Sequence, residues 1–246
     1  MIAAVLPALL ALAPPVTSQM PAGKTQRETA RWLMQQGDIA ELQVYAEANR
    51  ALIAATDERP RIILLGDSIT YHWPEETLPA LPGALIVNRG IPGQNTTQML
   101  LRFEDDVVAL RPAAVVILAG TNDLRSLGPH PAPRDAVVGQ IARNVTAMAD
   151  IADARRIRVI LCTIPPVGPD QATGQRDPAT ILAANEWLRG FAAVRGHGFL
   201  DYHGALAGKD GLIRAAYTSD DLHLTPTGYQ QLWALLATAA RRALER

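Results

Sequence analysis

The sequence predicts an α/β protein in three layers, a parallel sheet with helices on both faces. Three observations predict it. Five short β-branched runs are apolar almost without interruption, as strands buried on both faces are. Helical stretches alternate with them, the order that builds a parallel, doubly wound sheet. Two Pro/Gly-rich loops, 128–133 and 165–178, follow strands on the carboxyl side, where open α/β sheets place their sites.

The elements follow in chain order. From Gln26 to about Ala55, Trp32, Leu33, Ile39, Leu42, Tyr45, Leu52 and Ile53 recur at helical spacing, with a break at Gly37-Asp38. Arg59-Pro60 ends this region. The strands are expected at 62–65, 84–87, 114–118, 159–163 and, with the weakest pattern, 198–201. The helices are expected at about 97–110, 134–154, 178–194 and 226–244. Thr225 suits the N-cap of the last helix and Pro226 its first position.

The chain has 246 residues, 48% hydrophobic and 19% charged, enough for one good-sized core. Its net charge of -1, with no run of either sign, excludes the clustered basic footprint of a nucleic-acid binder. Cys162 is the only cysteine, so no disulfide forms within the chain. It lies in the apolar run Val159–Thr163 and reads as a small buried hydrophobe. No metal motif is present, and no metal or other cofactor is expected.

The segment Ile2–Ala13 is apolar apart from Pro7 and too short to span a membrane. Pro14-Pro15 breaks it, and Val16-Thr17-Ser18 offers small residues for cleavage after Ser18. Residues 1–18 therefore read as a signal peptide and the protein as exported. No Lys or Arg precedes the apolar stretch, so an uncleaved leader, or a start at Met20 with a cytoplasmic location, is the competing reading.

Four short segments carry chemistry. In Gly66-Asp67-Ser68-Ile69-Thr70 a serine sits just past a strand end, where a helix N-terminus favours negative charge. Its alternative role is an N-cap. In Asn88–Thr97, Pro92-Gly93 fits a type II turn, and a glycine there can aim its N–H at an oxyanion. Gly120-Thr121-Asn122-Asp123 places an amide donor after the third strand; a turn or cap is its plainer role. Asp220-Asp221-Leu222-His223 offers a base with a carboxylate three residues back, or else a solvated turn before the last helix. A serine, a histidine and an acid are the parts needed for nucleophilic acyl transfer.

Taken together, these segments resemble the four blocks of the SGNH hydrolases, the GDSL esterase/lipase family, from about Arg61 to Leu244. The resemblance implies a flavodoxin-like, five-stranded parallel sheet of order 2-1-3-4-5. It implies Ser68 as nucleophile, His223 as base and Asp220 as the acid that orients it. The oxyanion hole would be the Ser68 and Gly93 N–H groups and the Asn122 side chain. With the leader 1–18 and the helical extension 19–60 read above, it leaves 61–246 as a hydrolase domain. Gln94 stands where many relatives carry Asp. The extension exceeds the minimal family core, and is expected to serve in docking or packing.

The expected activity is hydrolysis of a small ester with a short acyl group, acetyl to butyryl. No long apolar lid is evident, and aromatic content is 5%. Tyr71 and Trp73, close behind the nucleophile, are candidates to line the substrate pocket; packing of the first helical turn is their alternative. Within the family the alternatives are a carbohydrate O-acetylesterase, a lysophospholipase or a thioesterase. From another class, the alternative is a carbohydrate-binding or interaction module without turnover.

Overall fold

The computed structural model describes residues 37–74, 81–125, 132–174 and 176–245. The apolar segment read as a signal peptide, and the extension up to residue 36, lie outside the described residues.

Five strands form one sheet: β1 (Arg61–Gly66), β2 (Leu85–Gly90), β3 (Ala114–Leu118), β4 (Arg158–Cys162) and β5 (Gly198–Leu200). They are all parallel, in the order β2-β1-β3-β4-β5. Gly66, the last residue of β1, pairs with Gly90 on one side and Leu118 on the other. The carboxyl ends of these three strands are therefore level.

Side-chain alternation divides each strand between two cores. Ile63, Leu65, Val115, Ile117, Val159 and Leu161 face one core; Ile62, Leu64, Val116, Leu118, Ile160 and Cys162 face the other. The first core is closed by helices α5 (Arg134–Ala154) and α7 (Pro178–Arg195), through Val145, Met148, Ile181 and Leu188. The second is closed by α9 (Pro226–Leu244), through Tyr229, Leu232 and Leu236. Each fully buried leucine or isoleucine contributes about 1.5–3 kcal/mol relative to exposure. Covering only one face would forfeit half of that.

Short helices join these elements: α1 (Ala46–Ala54), α2 (Ser68–Tyr71), α3 (Thr96–Leu101), α4 (Phe103–Asp106), α6 (Pro169–Gly174) and α8 (Tyr202–Leu206). The single helix expected at 97–110 is instead broken into α3, α4 and a 3-10 turn at Val108–Leu110. The break falls at Arg102, whose side chain is fully buried. Its guanidinium donates to Gln94 Oε1, to the carbonyls of Arg89 and Gly66, and to Asp106 Oδ2. A buried charge has to be met this way. The described part of the N-terminal extension is a 3-10 turn at Leu42–Val44 followed by α1; helix ends at Ala54.

Candidate active site

β1 ends at Gly66 because the chain turns sharply into α2. A Cβ at Gly66 would lie 2.0 Å from Thr70 Oγ1. The N-cap is Asp67, not Ser68: its carboxylate accepts from the Ile69 N–H at 2.9 Å. Ser68 is the first residue of the helix, and its hydroxyl is left for another partner. That partner is His223, whose Nε2 lies 3.0 Å from Ser68 Oγ.

His223 is held from behind. Its Nδ1 lies 2.6 Å from Asp220 Oδ2, while Asp220 Oδ1 accepts from the backbone N–H groups of His223 and Leu222. Partial burial pushes the Asp220 carboxyl up, but these hydrogen bonds outweigh it and hold the group below its ordinary range. The loop itself is stitched down. The Gly168 N–H donates to the Asp221 carbonyl at 2.8 Å, and Thr218 Oγ1 to the His223 carbonyl at 2.9 Å. Asp221 adopts a left-handed φ of 65°, tolerated by Asp more readily than by most residues. Beyond the loop, the Tyr229 hydroxyl on α9 donates to the Ile69 carbonyl at 2.7 Å, tying the helix after the histidine to the helix of the serine.

Two further loops leave the strands beside β1. After β2, Gln94 N–H donates to the Ile91 carbonyl and Gly93 has φ 83°, the type II turn expected there. After β3, Asn122 Nδ2 donates to the Gln94 carbonyl at 3.0 Å. Asp123 accepts from the N–H and hydroxyl of Thr96, at the start of α3. The second and third blocks are thus joined by three hydrogen bonds.

Ser68, Gly93 and Asn122 follow the carboxyl ends of three adjacent strands, and Asp220 and His223 reach Ser68 from the far end of the chain. Tyr71 is 46% exposed, beside the His72 ring, which stands edge-on to His223 at 5.6 Å between centroids. Of the two roles expected for Trp73, its surroundings match packing: it is 5% exposed and packs against Tyr202 and Tyr229 in the second core.

Arg176 escaped the sequence reading. It is buried, and donates to the Thr121 carbonyl at 2.9 Å, to Gln171 Oε1 at 2.5 Å and to Asn122 Oδ1 at 3.2 Å. By occupying the oxygen of the Asn122 carboxamide it fixes which end presents N–H groups. Nothing signals this role in sequence, where it is one arginine in a loop. Among the described residues no three His, Cys, Asp or Glu side chains are grouped to hold a metal ion, and no helix is long and apolar enough to cross a membrane.

The sequence profile of the GDSL-like Lipase/Acylhydrolase family matches residues 64–231. A structure from Bacteroides fragilis assigned as an acylhydrolase is 32% identical, with a TM-score of 0.72, covering 84% of this chain and 99% of that one. A GDSL-like lipase from Bacteroides thetaiotaomicron is 33% identical, with a TM-score of 0.70, covering 83% and 98%. A catalytic mutant of an acetylxylan esterase from Geobacillus stearothermophilus is 20% identical, with a TM-score of 0.58, covering 75% and 94%; that likeness is one of fold. No curated protein sequence matches the chain.

Proposed function

Because the chain belongs to the GDSL-like lipase/acylhydrolase family and is a carboxylic ester hydrolase, we propose that it cleaves short-chain, acetyl-like esters through an acyl-enzyme on Ser68. The observation that carries this reading is the hydrogen-bonded line Ser68 Oγ, His223, Asp220, with links of 3.0 and 2.6 Å.

Ser68 Oγ attacks the ester carbonyl carbon as His223 Nε2 takes the hydroxyl proton. The carbonyl oxygen becomes an oxyanion. The Ser68 N–H, an orphan donor at a helix start, the Gly93 N–H and Asn122 Nδ2 stabilise it. The C–O bond to the alcohol breaks, and His223 returns the proton to the leaving oxygen. Water then attacks the acyl-enzyme, giving its proton to His223. Collapse releases the acid, and the proton returns to Ser68. Asp220 holds the imidazole in the tautomer with its proton on Nδ1 and supports the charge it acquires.

Structural neighbours named as acetyl xylan esterases share the fold, and acetyl esters, on carbohydrate included, therefore head the series to be tried. The test is hydrolysis of p-nitrophenyl esters from acetyl to palmitoyl by wild type and Ser68→Ala. Turnover should be highest on acetyl and butyryl esters and vanish in the variant. Palmitoyl turnover above butyryl would contradict the chain-length reading. Retained activity in Ser68→Ala would remove the nucleophile.

A further inference from the structure

The segment 39–49 lies against the loop that carries Gly93. Four hydrogen bonds join the segment to that loop and to β2 and α3 on either side of it. Gln98 Nε2 donates to the Ile39 carbonyl at 3.0 Å and Gln94 Nε2 to the Ala40 carbonyl at 2.9 Å. The Tyr45 hydroxyl donates to the Gly90 carbonyl at 2.5 Å, and Arg89 Nε to Asn49 Oδ1 at 2.8 Å. The Arg89 guanidinium also lies over the Tyr45 ring, 4.6 Å from its centroid.

The bonds run from the end of β2, through Gln94 in the loop, to Gln98 in α3. Outward from Gly93 the loop is open: among the described residues a Cβ there would meet nothing within 4 Å. The loop is held by Asn122 at the Gln94 carbonyl and, on the strap side, by the Gln94 side chain. That side chain is fully buried, giving one hydrogen bond to Ala40 and accepting one from Arg102 Nε at 2.6 Å.

We propose that the segment Ile39–Asn49 is a strap that positions the oxyanion hole, with Tyr45 and Gln94 as its positioning residues. This rests on the assignment of Gly93 and Asn122 as oxyanion donors. A misplacement of about 1 Å in a catalytic group can cost on the order of a hundredfold in rate. Removing one hydrogen bond of the strap frees the turn without removing any donor. The strap therefore acts on turnover more than on substrate binding.

The test uses the full chain and two conservative variants. Tyr45→Phe keeps the ring under Arg89 and loses only the hydroxyl bond to Gly90. Gln94→Glu keeps an oxygen for Arg102 but turns a second oxygen, instead of an N–H, toward the Ala40 carbonyl and the buried Glu41 carboxyl. With p-nitrophenyl acetate, kcat should fall about threefold to tenfold in Tyr45→Phe and at least tenfold in Gln94→Glu, with KM within about twofold. The inhibition constant of phenylboronic acid, whose serine adduct puts an oxygen in the oxyanion position, should rise by the factor by which kcat/KM falls.

Asn122→Ala is run beside them and should lose on the order of a hundredfold in kcat. If Asn122→Ala loses its activity while both strap variants stay within twofold of wild type, the strap is packing and the inference is wrong. If Asn122→Ala and Ser68→Ala both retain turnover, the underlying assignment of the site is wrong instead. Should Gln94→Glu not fold, Tyr45→Phe decides alone, its melting temperature separating lost turnover from lost protein.

Discussion

Asp67 sits beside the nucleophile and works against the stability of the fold. It is fully buried; Oδ1 caps α2 and the Thr121 hydroxyl lies close enough to favour the carboxylate, but among the described residues Oδ2 has no hydrogen-bond partner of good geometry. Burial pushes the carboxyl up to about 6 from an ordinary value of 3.8. Between those values the unfolded chain has lost the proton and the folded chain keeps it. The folded state binds more protons, so this group's contribution to stability falls as pH rises through about 4 to 6. Above that window the full cost applies, about 3 kcal/mol at 1.4 kcal/mol per pH unit. Asp67→Asn can still cap Ile69 and can offer an N–H to the Thr121 hydroxyl. Urea unfolding from pH 4 to 8 should show it about 1–3 kcal/mol more stable than wild type at pH 7.5, with a flatter profile between pH 4 and 6. Parallel profiles would refute the assignment. At this scale the sequence displayed residue types but not environments. Ser68, Asp220 and His223 are readable because their chemistry is rare in combination. Arg176, Gln94 as an anchor, and the burial of Asp67 depend on what surrounds them in space.

Close approach of backbone, rather than side-chain chemistry, sets the geometry where β1, β2 and α2 meet. A Cβ at Gly90 would lie 2.2 Å from the backbone nitrogen of Tyr71 and 2.7 Å from its Cα. Neither atom can move without shifting α2 and Ser68 with it. Gly90→Ala should cost about 3 kcal/mol in overpacking and lower kcat in the molecules that still fold. Gly139, in the middle of α5, is the contrast. Among the described residues a Cβ there meets only the end of the Arg143 side chain, at 3.4 Å, so Gly139→Ala should stabilise by about 0.5–1 kcal/mol. Urea unfolding and activity assays of the pair check both signs; equal effects would mean that close approach at Gly90 is not what matters. The strands were legible from their apolar runs to within three residues at each end. β2 runs on through Asn88-Arg89-Gly90, a polar stretch that pairing with β1 holds extended. α5 and α9 were legible from periodicity and capping; Thr225 accepts from the Gly228 N–H. The broken helix at 97–110 was not, because the demand of a buried Arg102 for acceptors overrides local propensity.

The sheet order explains why the site lies where it does. From β1 the chain moves outward to β2, then crosses back to β3 on the other side, so the loops after β1 and β3 flank the reversal point where open sheets leave a crevice. Parallel strands and alternating layers were legible from pattern alone; the strand order came from the family resemblance, since periodicity says nothing about neighbours. The contribution of His223 is the most distant, 155 residues from Ser68. Its loop is carried by α9, whose Tyr229, Leu232 and Leu236 are buried in the second core. The geometry at Ser68 thus depends on α9 being docked, and α9 cannot leave without opening the second core. The local stitching of Asp220–His223 to Gly168 and Thr218 resists a smaller opening. Activity and far-UV circular dichroism should therefore be lost at the same urea concentration, in one transition. Loss of activity at lower urea, with the dichroism still native, would mean that the histidine loop opens as a unit of its own and that the site is less stable than the fold that carries it.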